Sequence, residues 1–90
     1  MALRITISHS EEATTLRLEG RITGPWVDEL RRAWNELVPQ NAPLRLDLRE
    51  VTYSDAQGTA VLKDIVAKTG AEMLTSTPWT QHLATTIRSN

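Results

Sequence analysis

The residues best suited to chemistry in this chain lie in one short segment, residues 54–58. Asp55 carries a carboxylate where an alternating pattern gives way to a helical one. A carboxylate at that point can accept hydrogen bonds from the free backbone N–H groups of the helix. Ser54 is the alternative cap, because Ser54 and Gln57 have the spacing of a capping box. Either cap predicts a helix that begins at about residue 56.

Few side chains outside this segment could take part in catalysis. Ser76 and His82, together with Asp55 of the segment, supply the residue types of a catalytic triad. The sequence, however, has neither a nucleophile elbow nor a glycine-lined oxyanion hole. It also lacks a glycine-rich phosphate loop, and its two histidines, His9 and His82, are too dispersed for a metal site. We therefore expect a protein that is not an enzyme and has no cofactor.

Length and composition narrow the class of protein further. The 90 residues carry a formal net charge of −1 and no cysteine, which predicts one domain, residues 1–90, without disulfides. No basic cluster is visible, so nucleic acid is not an expected partner. No apolar run approaches the ~20 residues of a membrane span, and no signal peptide is evident. We expect a cytoplasmic protein that does not insert into a membrane.

The first half of the chain has the pattern of a hairpin followed by a helix. Apolar and polar residues alternate over residues 3–7 and again over residues 15–19, which predicts two strands. The polar segment 9–13 between them is short, which favours antiparallel pairing. Pro25 then opens an amphipathic helix, and Pro39 ends it at Val38.

Strands and helices alternate in the second half. A third strand is predicted at residues 44–49, followed by a separate segment 51–53, a helix over 56–69 that stops at Gly70, and a strand at 71–75. Thr77 and Pro78 open a last helix. The order β-β-α-β-α-β-α predicts an α/β fold. We expect a four-stranded mixed sheet with helices packed mainly on one face.

Several side chains have a predicted environment within this fold. Trp34 is expected in the core and Trp26 in the core or half-buried, from their helical spacing. Gly58 is costly in a first helical turn, so we attribute it to close packing between helix and sheet, with the close approach of a partner backbone as the alternative. Asp47, between two leucines of a strand, is expected on the solvent side. The inner stripe of the second helix is predicted to be Leu62, Ile65, Val66 and Thr69.

Three segments together resemble a known family. They are LRLEGRITGPWVDELRRAWNEL, LRLDLREVTYSDAQGTAVLKDIV and GAEMLTSTPWTQHLATTI. In this order they look like a STAS domain, the sulfate-transporter and anti-sigma-factor-antagonist family, with the central segment the most specific. The resemblance covers nearly the whole chain, and it implies a STAS-like single domain.

The resemblance also implies how such a protein is regulated. In phosphoregulated members, the serine or threonine after the motif aspartate is phosphorylated by a partner-switching kinase that is itself an anti-sigma factor. The unmodified antagonist binds that kinase and frees the sigma factor. Asp55 matches the motif aspartate, and Ala56 stands at the phosphoacceptor position without a nucleophilic oxygen. The usual phosphorylation is thus excluded, which leaves the hydroxyls of Ser54, Thr52 and Thr59 as substitute sites.

The resemblance implies a non-catalytic protein-binding module of bacterial signalling and transcription regulation, like an anti-sigma factor antagonist. Its expected partner is an anti-sigma factor or a serine kinase-like protein. The alternative is a structural accessory STAS subunit of a membrane transporter ATPase complex. The predicted partner-binding residues are Ser54, Asp55, Ala56, Gln57, Gly58, Thr59, Gly24 and Trp26.

Overall fold

Four strands and three helices alternate along the chain in the order that the sequence predicts. The computed structural model describes residues 3–37 and 43–88. The predicted end of the first helix at Val38 lies outside the described residues. The elements are β1 (Arg4–His9), β2 (Thr14–Ile22), α1 (Pro25–Leu37), β3 (Leu44–Ser54), α2 (Ala56–Thr69), β4 (Glu72–Leu74) and α3 (Pro78–Arg88).

The strands form one mixed sheet in the order β1-β2-β3-β4. β1 and β2 pair as the predicted antiparallel hairpin, whereas β2 with β3 and β3 with β4 are parallel. Helix α2 contacts both α1 and α3, and both α2 and α3 contact β3. The helices therefore cover one face of the sheet, and the other face is open.

The core lies between this sheet and the helices. Its centre consists of side chains that expose none of their surface, and each buried leucine stabilises the fold by about 1.5–3 kcal/mol. They include Leu16, Leu18, Leu46, Leu48, Leu62 and Ile65. Trp34 is buried and Trp26 is half-buried against the same cluster, so both predictions are confirmed.

Strand β3 is longer than the sequence predicts. It runs unbroken through 11 residues, whereas alternation predicts a strand over 44–49 and a separate segment over 51–53. The register between β2 and β3 shifts between Arg17 and Glu19 and again between Gly20 and Arg21. At each shift β3 contains one extra residue, so the side chains that follow point to the opposite face from the one that strict alternation predicts. The strand therefore does not show a continuous period-two pattern in the sequence.

The buried face of α2 also differs from the prediction. Its buried residues are Gly58, Val61, Leu62 and Ile65, whereas Val66 is half-buried and Thr69 is exposed. Thr69 lies in the last turn, where its hydroxyl donates to the carbonyl of Ile65 at 2.7 Å. The predicted stop at Gly70 is confirmed, because Gly70 is left-handed with φ of 66°.

Asp47 is buried, so the prediction of solvent exposure is wrong, although the predicted side of the sheet is right. It lies on the open face of the sheet, yet only 4% of its surface is exposed. Arg49 covers it, because its Nε and Nη2 donate to the two carboxylate oxygens at 3.0 and 2.9 Å, and its backbone N–H donates at 3.1 Å. These hydrogen bonds from the Arg49 side chain lower the pKa of Asp47.

Ion pairs cover much of the remaining open face. Arg17 pairs with Glu19 at 3.0 Å, and Arg45 pairs with Glu72 on β4 at 3.1 Å. The guanidinium of Arg21 lies 5.0 Å from the ring centre of Tyr53. These arginines are scattered in the sequence and form no basic run, but the strand register collects them on one surface.

Candidate functional site

The candidate site is the start of α2, where the chain leaves β3. Ser54 is the last residue of β3, and Asp55 keeps extended backbone angles before the helix begins at Ala56. The Oδ1 atom of Asp55 accepts a hydrogen bond from the N–H of Gly58 at 2.7 Å. Asp55 is therefore the helix cap, and the capping box predicted for Ser54 and Gln57 does not form.

The same carboxylate also ties the helix start to a second loop. The Oδ2 atom of Asp55 accepts from the N–H of Gly24 at 3.3 Å, and the N–H of Asp55 donates to the carbonyl of Ile22 at 3.0 Å. Gly24 has φ of 53°, in the left-handed region, and leads into α1. Asp55 thus brings the turn after β2, which contains Gly24, against the start of α2, and Trp26 lies in the following helical turn.

Gly58 is required by packing, which confirms the prediction. It is buried, and a Cβ atom at this position would lie 2.6 Å from Cγ2 of Ile22 and 2.8 Å from the Ile22 carbonyl oxygen. A third neighbour, the hydroxyl of Ser54, would lie 2.9 Å away. Helix α2 approaches β2 closely only because residue 58 has no side chain.

The outer surface of the helix start differs from this inner side. Ala56 and Gln57 are exposed, whereas Ser54, Asp55 and Thr59 are half-buried. All of these residues except Gln57 line a shallow depression that extends along α2 to Ala60 and Lys63 and across to Thr86 of α3. The surface combines a fixed carboxylate, small side chains and one lysine, which suits contact with another protein better than enclosure of a small ligand.

The three candidate substitute hydroxyls have different environments. The hydroxyls of Ser54 and Thr59 hydrogen-bond each other at 3.0 Å, and Ser54 also donates to the carbonyl of Asp55 at 3.3 Å. Thr52 is exposed on β3. The hydroxyls of Ser54 and Thr59 thus form hydrogen bonds within the helix start, whereas Thr52 lies before it on β3.

The residue types of a catalytic triad do not form a hydrogen-bonded set. The hydroxyl of Ser76 donates to the backbone carbonyl of Arg49 at 3.0 Å, and both oxygens of Asp55 accept from backbone N–H groups. His82 is exposed on α3. His9 belongs to the end of β1 rather than to the predicted loop, and its Nδ1 lies 3.2 Å from the hydroxyl of Thr14.

Clusters of metal-binding side chains and membrane-spanning helices are also absent from the part of the chain that the structure describes. Within residues 3–37 and 43–88, no group of three or more histidine, aspartate or glutamate side chains could hold a metal ion. None of the helices described there is long and apolar enough to cross a membrane.

The sequence comparison identifies the family. The family model described as Mlab, STAS domain, matches residues 5–89. The chain belongs to the STAS domain family. The match includes both loops that Asp55 joins, so the site lies within the STAS domain. No curated protein matches the chain by sequence.

Solved structures share the fold of this STAS domain. The anti-sigma factor antagonist SpoIIAA in its unphosphorylated form has a TM-score of 0.62 at 11% identity, over 89% of this chain and 80% of that chain. An uncharacterized DUF3478-family protein with a SpoIIAA-like fold, from Shewanella loihica PV-4, gives 0.60 at 12%, over 92% and 77%. The protein Mglu gives 0.65 at 18%, over 81% of this chain but 19% of its own. At these identities the likeness concerns the fold.

Proposed function

We propose that this STAS domain is a non-catalytic protein-binding module that acts like an anti-sigma factor antagonist and is not phosphorylated at the usual position. Its partner is an anti-sigma factor or a serine kinase-like protein, and its binding surface is the start of α2. The observation that carries the proposal is that a carboxylate with a fixed position, at Asp55, lies next to an exposed methyl group, at Ala56.

The carboxylate of Asp55 is well prepared for binding. Two backbone N–H groups, from Gly58 and Gly24, hold its two oxygens at 2.7 and 3.3 Å. A partner cation or N–H group therefore meets a charge that is already positioned, and little side-chain entropy is lost on binding. The exposed side chains of Ala56 and Gln57 lie beside it and offer contact area.

Binding at this surface is expected to be constitutive. Phosphorylation adds a charge of about −1.5 to −2, which at a binding surface changes partner affinity. Ala56 has no oxygen that could receive a phosphoryl group. The hydroxyls of Ser54 and Thr59 are half-buried and hydrogen-bonded to each other, which supports the proposal that neither replaces it.

Intact-mass analysis tests the absence of a phosphoswitch. The chain is incubated with ATP and candidate serine kinase-like anti-sigma factors, beside an Ala56→Ser variant that restores a hydroxyl. We expect phosphate on the variant and none on the wild-type chain. Stoichiometric phosphate on the wild-type chain, mapped to Thr52, Ser54 or Thr59, would overturn the proposal of constitutive binding.

The second candidate function is an accessory subunit of a membrane transporter ATPase complex. Ala56 favours this candidate too, because a permanent structural contact needs no hydroxyl to modify. Affinity capture followed by mass spectrometry separates the two functions, since one predicts a kinase-like partner and the other an ATPase.

Paired charge reversals show whether the captured protein uses the proposed surface. Asp55→Lys should lose the partner, whereas Glu11→Lys makes the same charge change in an exposed loop and should retain it. A partner retained equally by both variants would place the binding surface elsewhere.

A further inference from the structure

The two edges of the sheet differ in length and in protection. β4 forms one edge with 3 residues, and its Glu72 is held by Arg45. β1 forms the other edge with 6 residues, which pair with β2 without a register shift. Edge strands present backbone hydrogen-bonding groups outward, and proteins commonly shield them with proline, lysine or a bulge. Strand β1 has no proline, lysine or bulge, and its charged side chain is Arg4, at its first residue.

The side chains of β1 are suited to pairing with another strand. Ile7 exposes 37% of its surface, and Ile5 is half-buried against the core cluster. They lie on the helix-bearing face, in register with Leu16 and Leu18 of β2. The opposite face of the strand carries Arg4 at its start, followed by uncharged Thr6 and Ser8, so Arg4 is the charge that a second strand must avoid or match.

We propose that two copies of this chain pair through β1, antiparallel, about a two-fold axis that is perpendicular to the sheet and lies midway between the two Thr6 residues. In this register Ile5 of each copy lies opposite Ile7 of the other on the helix-bearing face. On the open face, Arg4 of each copy lies opposite Ser8 of the other. The contact is self-complementary, as a two-fold interface requires.

Charge and apolar area favour this register over two other pairings of the strand. Parallel pairing in register would place the two Arg4 side chains opposite each other, and like charges in that position are destabilising. An antiparallel register centred on Ile7 would place Ile5 opposite His9. The register centred on Thr6 instead pairs isoleucine with isoleucine twice and separates the two arginines by about 13 Å along the strands.

The dimer leaves the proposed partner surface free. β1 is separated from β3 by β2, and the start of α2 lies at the end of β3. Each copy therefore presents its own Asp55 surface in the paired state. The inference does not depend on the proposed function, because it concerns a different part of the molecule. A contact of one strand pair is small, so we expect weak, concentration-dependent association.

Sedimentation velocity of the full chain over a wide concentration range tests the dimer and its register. Ser8→Glu places a carboxylate opposite Arg4 of the second copy, and Ser8→Lys places a second cation there. One cross-strand charge pair contributes roughly 0.2–1 kcal/mol, and the dimer contains two. The dimer Kd should therefore fall about 2- to 30-fold in Ser8→Glu and rise by a similar factor in Ser8→Lys.

Matched substitutions away from the edge serve as controls. Thr52→Glu and Thr52→Lys alter an exposed residue of an interior strand and should leave the dimer Kd unchanged. Circular dichroism and Tm establish that the Ser8 variants remain folded. A chain that is monomeric at every concentration would overturn the proposal. A dimer whose Kd responds equally to both charges at Ser8 would also overturn it.

Discussion

The starts of α2 and α3 meet the same physical requirement with different chemistry. Each helix begins with backbone N–H groups that need acceptors. At α3 the acceptors are neutral hydroxyls: Thr80 Oγ1 accepts from Ser76 at 3.0 Å and Thr77 at 2.9 Å, and Thr77 Oγ1 accepts from Thr80 at 3.1 Å. Thr80 exposes only 1% of its surface. We call this start closed because its central hydroxyl, that of Thr80, is buried and uncharged. The cap formed by Thr77 confirms the predicted opening of the helix at Thr77 and Pro78.

At α2 the acceptor is a half-buried carboxylate with exposed neighbours. Asp55 satisfies the helix and the Gly24 turn, yet it keeps a net charge near the surface. The comparison separates a cap that only stabilises the fold from a cap that also offers a charge to a partner. Variants at each start should therefore divide into those that change stability and those that change binding.

The largest effect is expected for Gly58→Val, on the inner side of the α2 start. Even a Cβ atom there would lie 2.6 Å from a side-chain atom and 2.8 Å from a backbone atom of Ile22. Overpacking of this kind costs about 1–3 kcal/mol or more. Urea denaturation should show this loss, whereas Ala60→Val, at an exposed position of the same helix, should show little. Equal stability of both variants would contradict the packing role of Gly58.

A smaller loss of stability is expected for Thr80→Val at the closed start of α3. The substitution keeps the shape but leaves the N–H groups of Ser76 and Thr77 without their acceptor. Each lost hydrogen bond should cost about 0.5–1.5 kcal/mol, because Ser76 and Thr77 are exposed and water can partly replace the acceptor. Thermal denaturation should show a lower Tm, and the captured partner should bind as tightly as before. Weakened binding by the folded variant would show that the α3 start is also part of the partner surface.

The reverse result is expected for Asp55→Asn at the open start of α2. Asparagine caps helices about as well as aspartate, so the free energy of unfolding should change by less than about 1 kcal/mol. The lost charge should weaken partner binding about tenfold, which corresponds to about 1.4 kcal/mol. Isothermal titration calorimetry measures the affinity, with Glu11→Gln as the charge-matched control. An unchanged affinity would show that Asp55 caps the helix but does not contribute its charge to partner binding.

The smallest effect is expected at Asp47, which lies on the open face of the sheet and belongs to neither helix start. Because Arg49 lowers the folded-state pKa of Asp47, the pair stabilises the fold above the unfolded-state pKa of about 4. This contribution is lost as the pH falls through the lower folded-state pKa, and it amounts to at most about 1 kcal/mol. Asp47→Asn should flatten that part of the pH dependence in urea denaturation. An unchanged pH dependence would contradict the assignment to Asp47.

The fold was predictable because the pattern of apolar residues is regular where one face of an element is buried. Alternation in β1 and β2, the opening proline of α1 and the left-handed Gly70 all appear in the structure as predicted. The full length of β3 was not predictable, because extra residues at two register shifts interrupt its alternation. The burial of Asp47 was not predictable, because the alternation of apolar and polar residues contains no information on the side chain that covers Asp47.

The candidate site was only partly predictable. Sequence spacing placed a cap at residue 54 or 55 and a tightly packed glycine at 58, and both follow from local rules. The second hydrogen bond of Asp55 was not predictable, because its donor, Gly24, lies in a loop that is distant in sequence. Local sequence patterns also do not give the order of the strands, so they could not show that β1 forms the longer edge of the sheet.

The shared hydrogen bonding of Gly24 and Gly58 gives this protein two built-in spectroscopic probes. The chain has only four glycines, and two of them donate their backbone N–H groups to the same carboxylate. In a ¹H–¹⁵N NMR titration, a ligand that contacts Asp55 should shift both signals with the same binding curve. Gly20, within β2, and Gly70, at the far end of α2, serve as internal references. One spectrum of the unmodified chain can therefore locate a ligand on the molecule.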